Sequence, residues 1–203
     1  MKNMQKALVL ILCGALCAVI LSCGTTGGGG GGVGAGVLAT GEWMVYNDEN
    51  DKGSSTAAIR SVEEEIDGVK TLVHYITGNV TTKFQYGFAG WGLNADEATN
   101  ELYKTAKMVS FWVLGDGKSY SIKFKTSNVR DFAYFEYRFT TEPGQPLLVE
   151  VPMAYFMQPS WGTPVRKNQE LATGVEWQTH ESWRKDPNNN PFAVKFWGFK
   201  IHN

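Results

Sequence analysis

The 203-residue chain reads as an all-β sandwich, on three observations. Apolar and polar residues alternate at period two through much of residues 41–201, the spacing of half-buried strands. Asp-Gly, Gly-Asp-Gly and Pro-Gly turns separate the runs, and no 3.6-residue period is sustained there. Eight to ten strands in two layers are expected.

Residues 1–23 read as an export signal. Lys2 and Lys6 form a basic start, residues 7–21 an apolar core too short for a comfortable membrane span, and Ile20-Leu21-Ser22-Cys23 follows. That ending resembles the lipobox of bacterial lipoproteins, in which the cysteine is lipidated and becomes the first mature residue. Leu21 stands one position later than the family's usual leucine. The alternatives are an uncleaved anchor and an ordinary signal peptide. All three cysteines, Cys13, Cys17 and Cys23, lie here, so a processed chain forms no disulfide framework and relies on its core. Residues 24–36, GTTGGGGGGVGAG, carry no side chains with which to pack. They read as a flexible tether with a reach of roughly 20 Å. Lipid at Cys23 would then hold the module at a membrane, in a bacterial cell envelope at the outer membrane or cell surface.

Residues 37–203 are one domain's worth of chain. Without Lys2 and Lys6 there remain 17 basic against 20 acidic residues, too near balance to suggest nucleic acid or an anionic surface as partner. All seven Trp lie in this part.

Along it, residues 41–46 form a first short strand running into the acidic loop NDENDKGSST. Residues 56–66 and 69–77 form a hairpin around Asp67-Gly68, despite the helical preference of Glu63-Glu64-Glu65. Residues 83–93 interleave four aromatics with three glycines, as a curved strand or close-packed loop does. Residues 94–107 are polar, with a short helical turn. Residues 108–126 give the clearest signal: Val109, Phe111 and Val113 share one face, Tyr120, Ile122 and Phe124 another, and Gly115-Asp116-Gly117 is expected to close an antiparallel hairpin. In residues 131–140, Ala133, Phe135, Tyr137 and Phe139 alternate with Phe132, Tyr134, Glu136 and Arg138. After the turn at 142–146, Leu147, Val149 and Val151 line a strand that Pro152 stops. Val175 and Trp177 share one side of a later strand, and 180–191 is a polar loop. In the last strand Phe192, Val194 and Phe196 lead into Phe199 and Ile201 in the opposite phase, so Gly198 is expected to mark a β-bulge.

The segments WMVYNDENDKGSS, FWVLGDGKSYSIKFKT, FAYFEYRFTT, VPMAYFMQPSWG and FAVKFWGFKI together resemble the complex I intermediate-associated protein family. They resemble equally its relatives among family-eleven carbohydrate-binding modules. The resemblance spans residues 43–201 and implies a jelly-roll β-sandwich of galactose-binding-domain type, with ligands on the concave face of one sheet. Such modules often carry a structural calcium held partly by an acidic residue of the last strand. FAVKFWGFKI has none, which leaves Asp48, Glu49 and Asp51 as candidate oxygen donors. Glucan-binding members use a cleft of Tyr with Asp and Arg, whose positions do not all align here. No other cofactor is implied.

If Ala133, Phe135, Tyr137 and Phe139 face the core, Tyr134, Glu136 and Arg138 point outward, about 7 Å apart in steps of two. Trp112 and, from the next strand, Ser121, Lys123 and Lys125 are expected on the same surface. Aromatic rings beside charged hydrogen-bonding groups suit a pyranose, which has an apolar C–H face and a rim of hydroxyls. The competing account is a solvated ladder of cross-strand ion pairs, with Trp112 under a loop. Trp91, Trp161, Tyr86 and Trp183 lie in Gly-, Pro- or polar-rich segments and are further candidates. His74, His180 and His202 have no metal spacing. No nucleophile motif or phosphate loop is present, and Glu136 lacks an evident carboxylate partner, so no enzyme is expected. The expected function is non-catalytic binding of an oligo- or polysaccharide; the alternative is a structural or assembly protein whose sandwich binds other proteins. Mass spectrometry of the mature N-terminus should find acylated Cys23; a free Gly24 or an intact Met1 would contradict the anchor.

Overall fold

The computed structural model describes residues 35–203. The signal peptide with Cys23, and the tether as far as residue 34, lie outside the described residues. The chain begins with β1 (Val37–Leu38), β2 (Gly41–Asn47), β3 (Thr56–Ile66), β4 (Val69–Val80) and β5 (Ala89–Ala95). Helix α1 (Glu97–Thr105) leads into β6 (Met108–Leu114), β7 (Ser119–Thr126) and β8 (Phe135–Thr140). The chain closes with β9 (Pro146–Pro152), β10 (Ala172–Thr179) and β11 (Asn190–His202). All pairings are antiparallel. One sheet runs β3-β4-β11-β6-β9 with β1 also on β11, the other β2-β5-β10-β7-β8. The result is the jelly-roll β-sandwich that the sequence predicts.

Several local expectations are met. Asp67 and Gly68 both have positive φ, 50° and 78°, the geometry of a type I′ turn, and they join β3 to β4 as a hairpin. The register of β11 against β6 slips between Trp197 and Lys200, and Gly198 sits in the slip at φ 65°. Its bulge turns Phe199 and Ile201 back to the core after Phe196, as the change of phase requires. Residues 94–107 hold more than a turn: α1 has nine residues, capped by the Asp96 carboxylate on the Thr99 N–H at 2.9 Å.

The expected hairpin at 108–126 is not one. β6 pairs with β11 and β9, and β7 with β10 and β8, so residues 115–118 carry the chain from one sheet to the other. The apolar faces are nevertheless as read, since Val109, Phe111, Val113, Tyr120, Ile122 and Phe124 are all fully buried. Paired side by side, the two rows would have lain on one sheet and both needed covering by the other; crossing over sets them face to face, and each covers the other. Asp116 fastens the corner by accepting from the Tyr120 hydroxyl at 2.8 Å, Lys118 at 2.7 Å and the Ala193 N–H at 3.2 Å.

The centre of the sandwich is aromatic. Trp177 of β10 stacks on Trp91 (6.1 Å) and Trp43 (5.7 Å) of its own sheet and meets Phe111, Phe196 and Phe199 of the other edge-on. His74 of β4 lies against Trp43 and Phe196, with its Nδ1 bonded to the Ser61 hydroxyl at 2.8 Å. Burial lowers its pKa to about 4, from an ordinary 6.5. Between those values the unfolded chain binds a proton that the folded one does not. Stability is therefore complete above pH 6.5 and falls as pH drops towards 4, by about 3 kcal/mol from this residue. Urea unfolding of His74→Gln across that range should show a shallower slope than wild type; equal slopes would mean that His74 is charged in the folded protein.

Candidate functional site

The outward residues of β2, β10, β7 and β8 line up across the five-stranded sheet. The register puts Glu176 opposite Lys123 and Lys123 opposite Glu136 in one row; the next runs Gln178, Ser121, Arg138. Each strand owes this face to its alternation: Val175 and Trp177, Ile122 and Phe124, and Phe135 and Phe139 are buried on the other side. Tyr46 of β2 lies on the same face, its hydroxyl donating to the Trp177 carbonyl at 3.1 Å. Burial, with the Glu176 carboxylate beside it, holds the Tyr46 phenol well above its usual 10.

The charges are paired along the strands or diagonally, not along the row. Lys125 approaches Glu176 at 3.3 Å, and Arg138 donates to Glu136 from both Nε (3.0 Å) and a terminal nitrogen (2.8 Å). Lys123 donates instead to the Gln178 side-chain carbonyl. Desolvation lowers the Lys123 pKa, with Glu176 and Glu136 opposing it. Lys125 also lies 5.6 Å from the centre of the half-buried Tyr134 ring.

Beyond β8 the face has an apolar rim. Residue 157 adds a bridge to the sheet, with Glu136 and Met157 exchanging backbone hydrogen bonds of 2.8 and 3.0 Å. The loop that follows is held in place. Asp131 accepts from the Ala133 N–H (3.2 Å) and the Thr163 N–H (2.6 Å), and the Gln158 amide ties Thr163 and Val165 at 2.9 Å each. Those N–H groups keep the Asp131 carboxyl below the usual carboxylate range, that of Thr163 most. Gly162 presses on Ala133 so closely that an added Cβ would lie 2.1 Å from the Ala133 methyl. Trp161, 66% exposed, and Phe132, 73% exposed, thus flank two residues in contact. Phe132 adopts φ 62°, a conformation costly for an aromatic residue, and its ring sits edge-on to Tyr134 at 6.4 Å. A cleft of about 380 Å³ opens between this loop and β8, lined among others by Phe156, Met157, Pro164 and Val165.

Of the residues singled out in the sequence, Lys123, Tyr134, Glu136 and Arg138 come together on this face, and Trp161 stands at its rim. Trp112 does not join them. β6 belongs to the other sheet, so the ring points to the opposite side of the sandwich, nearly parallel to Trp197 at 6.0 Å. Trp91 is fully buried under Trp177, because β5 turns its odd-numbered side chains inward. Tyr86 is exposed, and Trp183 anchors a loop by donating to the Ser119 carbonyl at 2.8 Å. The three acids considered for calcium part company. Asp48 is buried, accepting from the Ser55 N–H (2.9 Å), the Ser55 hydroxyl (2.7 Å) and the Phe88 N–H (3.3 Å), whereas Glu49 and Asp51 face solvent. Among the described residues no three His, Cys, Asp or Glu form a group able to hold a metal ion.

Tyr46, Glu176, Gln178, Phe132 and Met157 were not proposed as site residues from the sequence. Glu176 and Gln178 had a usable signal, as the polar partners of Val175 and Trp177 in the alternation. Met157 had none, since its pairing with Glu136 is made by a loop.

The sandwich is similar in fold to solved carbohydrate-binding modules. The Family 11 Carbohydrate-Binding Module of the cellulosomal cellulase Lic26A-Cel5E of Clostridium thermocellum matches with a TM-score of 0.50 at 16% identity, over 82% of this chain and 88% of that one. An exo-beta-agarase matches 83% of this chain with a quarter (25%) of its own, at 10% identity and a TM-score of 0.48. A CBM4 structure matches 78% of this chain and 86% of that one, at 12% identity and a TM-score of 0.36. At such identities the likeness is one of fold. None of the curated proteins matches the chain. The model of the complex I intermediate-associated protein 30 family matches residues 37–175, and the chain belongs to that family.

Phe132 is held in its left-handed conformation by its surroundings, not by its own preference. Phe132→Asn, which tolerates that region, should raise the urea-unfolding free energy by about 1 kcal/mol; a loss of stability would mean that the ring is packed.

Proposed function

We propose that this chain is a non-catalytic carbohydrate-binding protein, anchored through lipid at Cys23 to the envelope of a bacterial cell. The observation that carries the binding is the polar outer face of the five-stranded sheet running into a rim of exposed aromatic side chains. Lys123, Gln178, Glu136 and Arg138 offer donors and acceptors for hydroxyls, while Tyr134, Phe132 and Trp161 offer flat surfaces for the C–H faces of sugar rings. The solved module from Clostridium thermocellum with this fold is named for carbohydrate binding, which supports the reading. The two carboxylates of the face are each held in an ion pair with a separate cation. That arrangement suits a binding floor better than an acid–base pair across a scissile bond.

A second reading is favoured by the other sheet. Val62, Val73, Trp197, Trp112 and Leu148 stand in register across five strands, with Trp112 38% and Leu148 40% exposed. Val73 and Trp197 are buried within this row, and the exposed pair Trp112 and Leu148 suits contact with a protein surface, in keeping with a family named for association with a complex I intermediate.

A glycan array probed with the purified protein separates the two. Glycan binding is expected, with Trp161→Ala and Tyr134→Ala each weakening it about five- to tenfold, as loss of one aromatic contact does, and Trp112→Ala leaving it unchanged. Failure to bind any glycan, together with a partner captured by wild type but not by Trp112→Glu, would replace the carbohydrate reading with the protein one.

A further inference from the structure

Building on the carbohydrate reading, we propose that the face selects an anionic saccharide, one bearing a carboxylate or sulfate ester, and that the Lys123 ammonium receives the anion. Lys123 stands at the middle of the face with a glutamate directly across each neighbouring strand, Glu176 on β10 and Glu136 on β8. Neither carboxylate is bonded to it. Glu176 is turned to Lys125 and Glu136 to Arg138, and among the described residues no carboxylate lies within 4.0 Å of the Lys123 nitrogen.

Its hydrogen-bond partner is a neutral amide oxygen, that of Gln178, although an ammonium has three N–H donors. A half-buried cation left in this state is costly, and a sugar hydroxyl would satisfy a donor without offsetting the charge. A carboxylate or sulfate does both, through charge-assisted hydrogen bonds.

The surrounding charges agree. The centre and rim-side half of the face hold Lys123, Lys125 and Arg138 against Glu136 and Glu176, an excess of one positive charge. Glu42 is exposed on β2, the strand at the far edge. His180, one residue past the end of β10, adds no positive charge: burial, and then Arg138, lower its pKa. The aromatic rim lies beside this cationic half, so a chain lying along the face would stack one ring while presenting a charged group to Lys123.

The test is calorimetric titration of the full-length protein with neutral, uronate-bearing and sulfated oligosaccharides of equal length. The charged ligands should bind about tenfold tighter than the neutral one at low salt, the advantage shrinking as salt rises. Lys123→Met should remove that advantage, weakening the charged ligands about tenfold more than the neutral one. Glu176→Gln, which leaves Lys123 in place and frees Lys125, should enlarge it. Trp161→Ala should weaken all ligands alike, marking the rim as separate from the charge selection. Preference for one charged series tells which anion is taken. Equal affinity for neutral and charged ligands, or a preference that survives Lys123→Met, overturns the proposal and leaves the carbohydrate reading standing. Binding of none of the three overturns both, as does an acidic peptide that binds through Lys123 where every saccharide fails.

Discussion

The contact between Trp177 and the rings around it is the constraint on which the rest of this structure depends. Its indole stacks on Trp91 and Trp43 within one sheet and meets Phe111, Phe196 and Phe199 from the other, so it determines how closely the sheets approach and in what register. Rings of this size interlock in few ways, and a shift of one residue along β10 would send the indole to solvent. The arrangement has a cost: the Nε1 donors of Trp91 and Trp177 are buried without partners. The area buried by so many aromatics outweighs it.

That register also sets the outer face. Glu176 and Gln178 flank Trp177 in the chain, so wherever the indole is pinned, the carboxylate and amide stand on the opposite surface one residue to either side. Lys123 follows from Ile122 and Phe124 in the same way, and Glu136 from Phe135. Each polar group of the face is therefore positioned by a buried neighbour rather than by its own contacts. Exposed ion pairs such as Arg138 with Glu136 add about 0–1 kcal/mol and serve to orient rather than to hold. The rim is built differently, from loop residues pinned by Asp131 and Gln158. A rigid sheet beside a braced loop is an economical base for recognition, because little ordering remains to be done on binding.

Much of this was legible in the chain. The strand pattern, the type I′ turn at Asp67-Gly68, the bulge at Gly198 and the inward sets of β6, β7, β8 and β11 all follow from local rules of spacing and turn chemistry. So did half of the site, since outward residues are the complement of inward ones. The failures share a cause. The hairpin form of 108–126 suggests one surface for Trp112 and Lys123, and the glycines around Trp91 suggest a surface position for that ring. In each case the sequence carried the local conformation, while the answer lay with a neighbour far along the chain.

By itself, then, the sequence determined which residues alternate, where the chain turns, and which side of each strand is apolar, because those depend on backbone geometry over two to four residues. Only the tertiary structure decided which strands lie alongside one another, and hence which outward residues share a surface. The corner at Gly115-Asp116-Gly117 shows the physical reason: a short Gly-rich turn can fold back within a sheet or cross between two, and the choice rests on burying Val109, Phe111 and Val113 against the opposite layer. That choice put Trp112 on one side of the molecule and Lys123, between two glutamates bonded elsewhere, on the other.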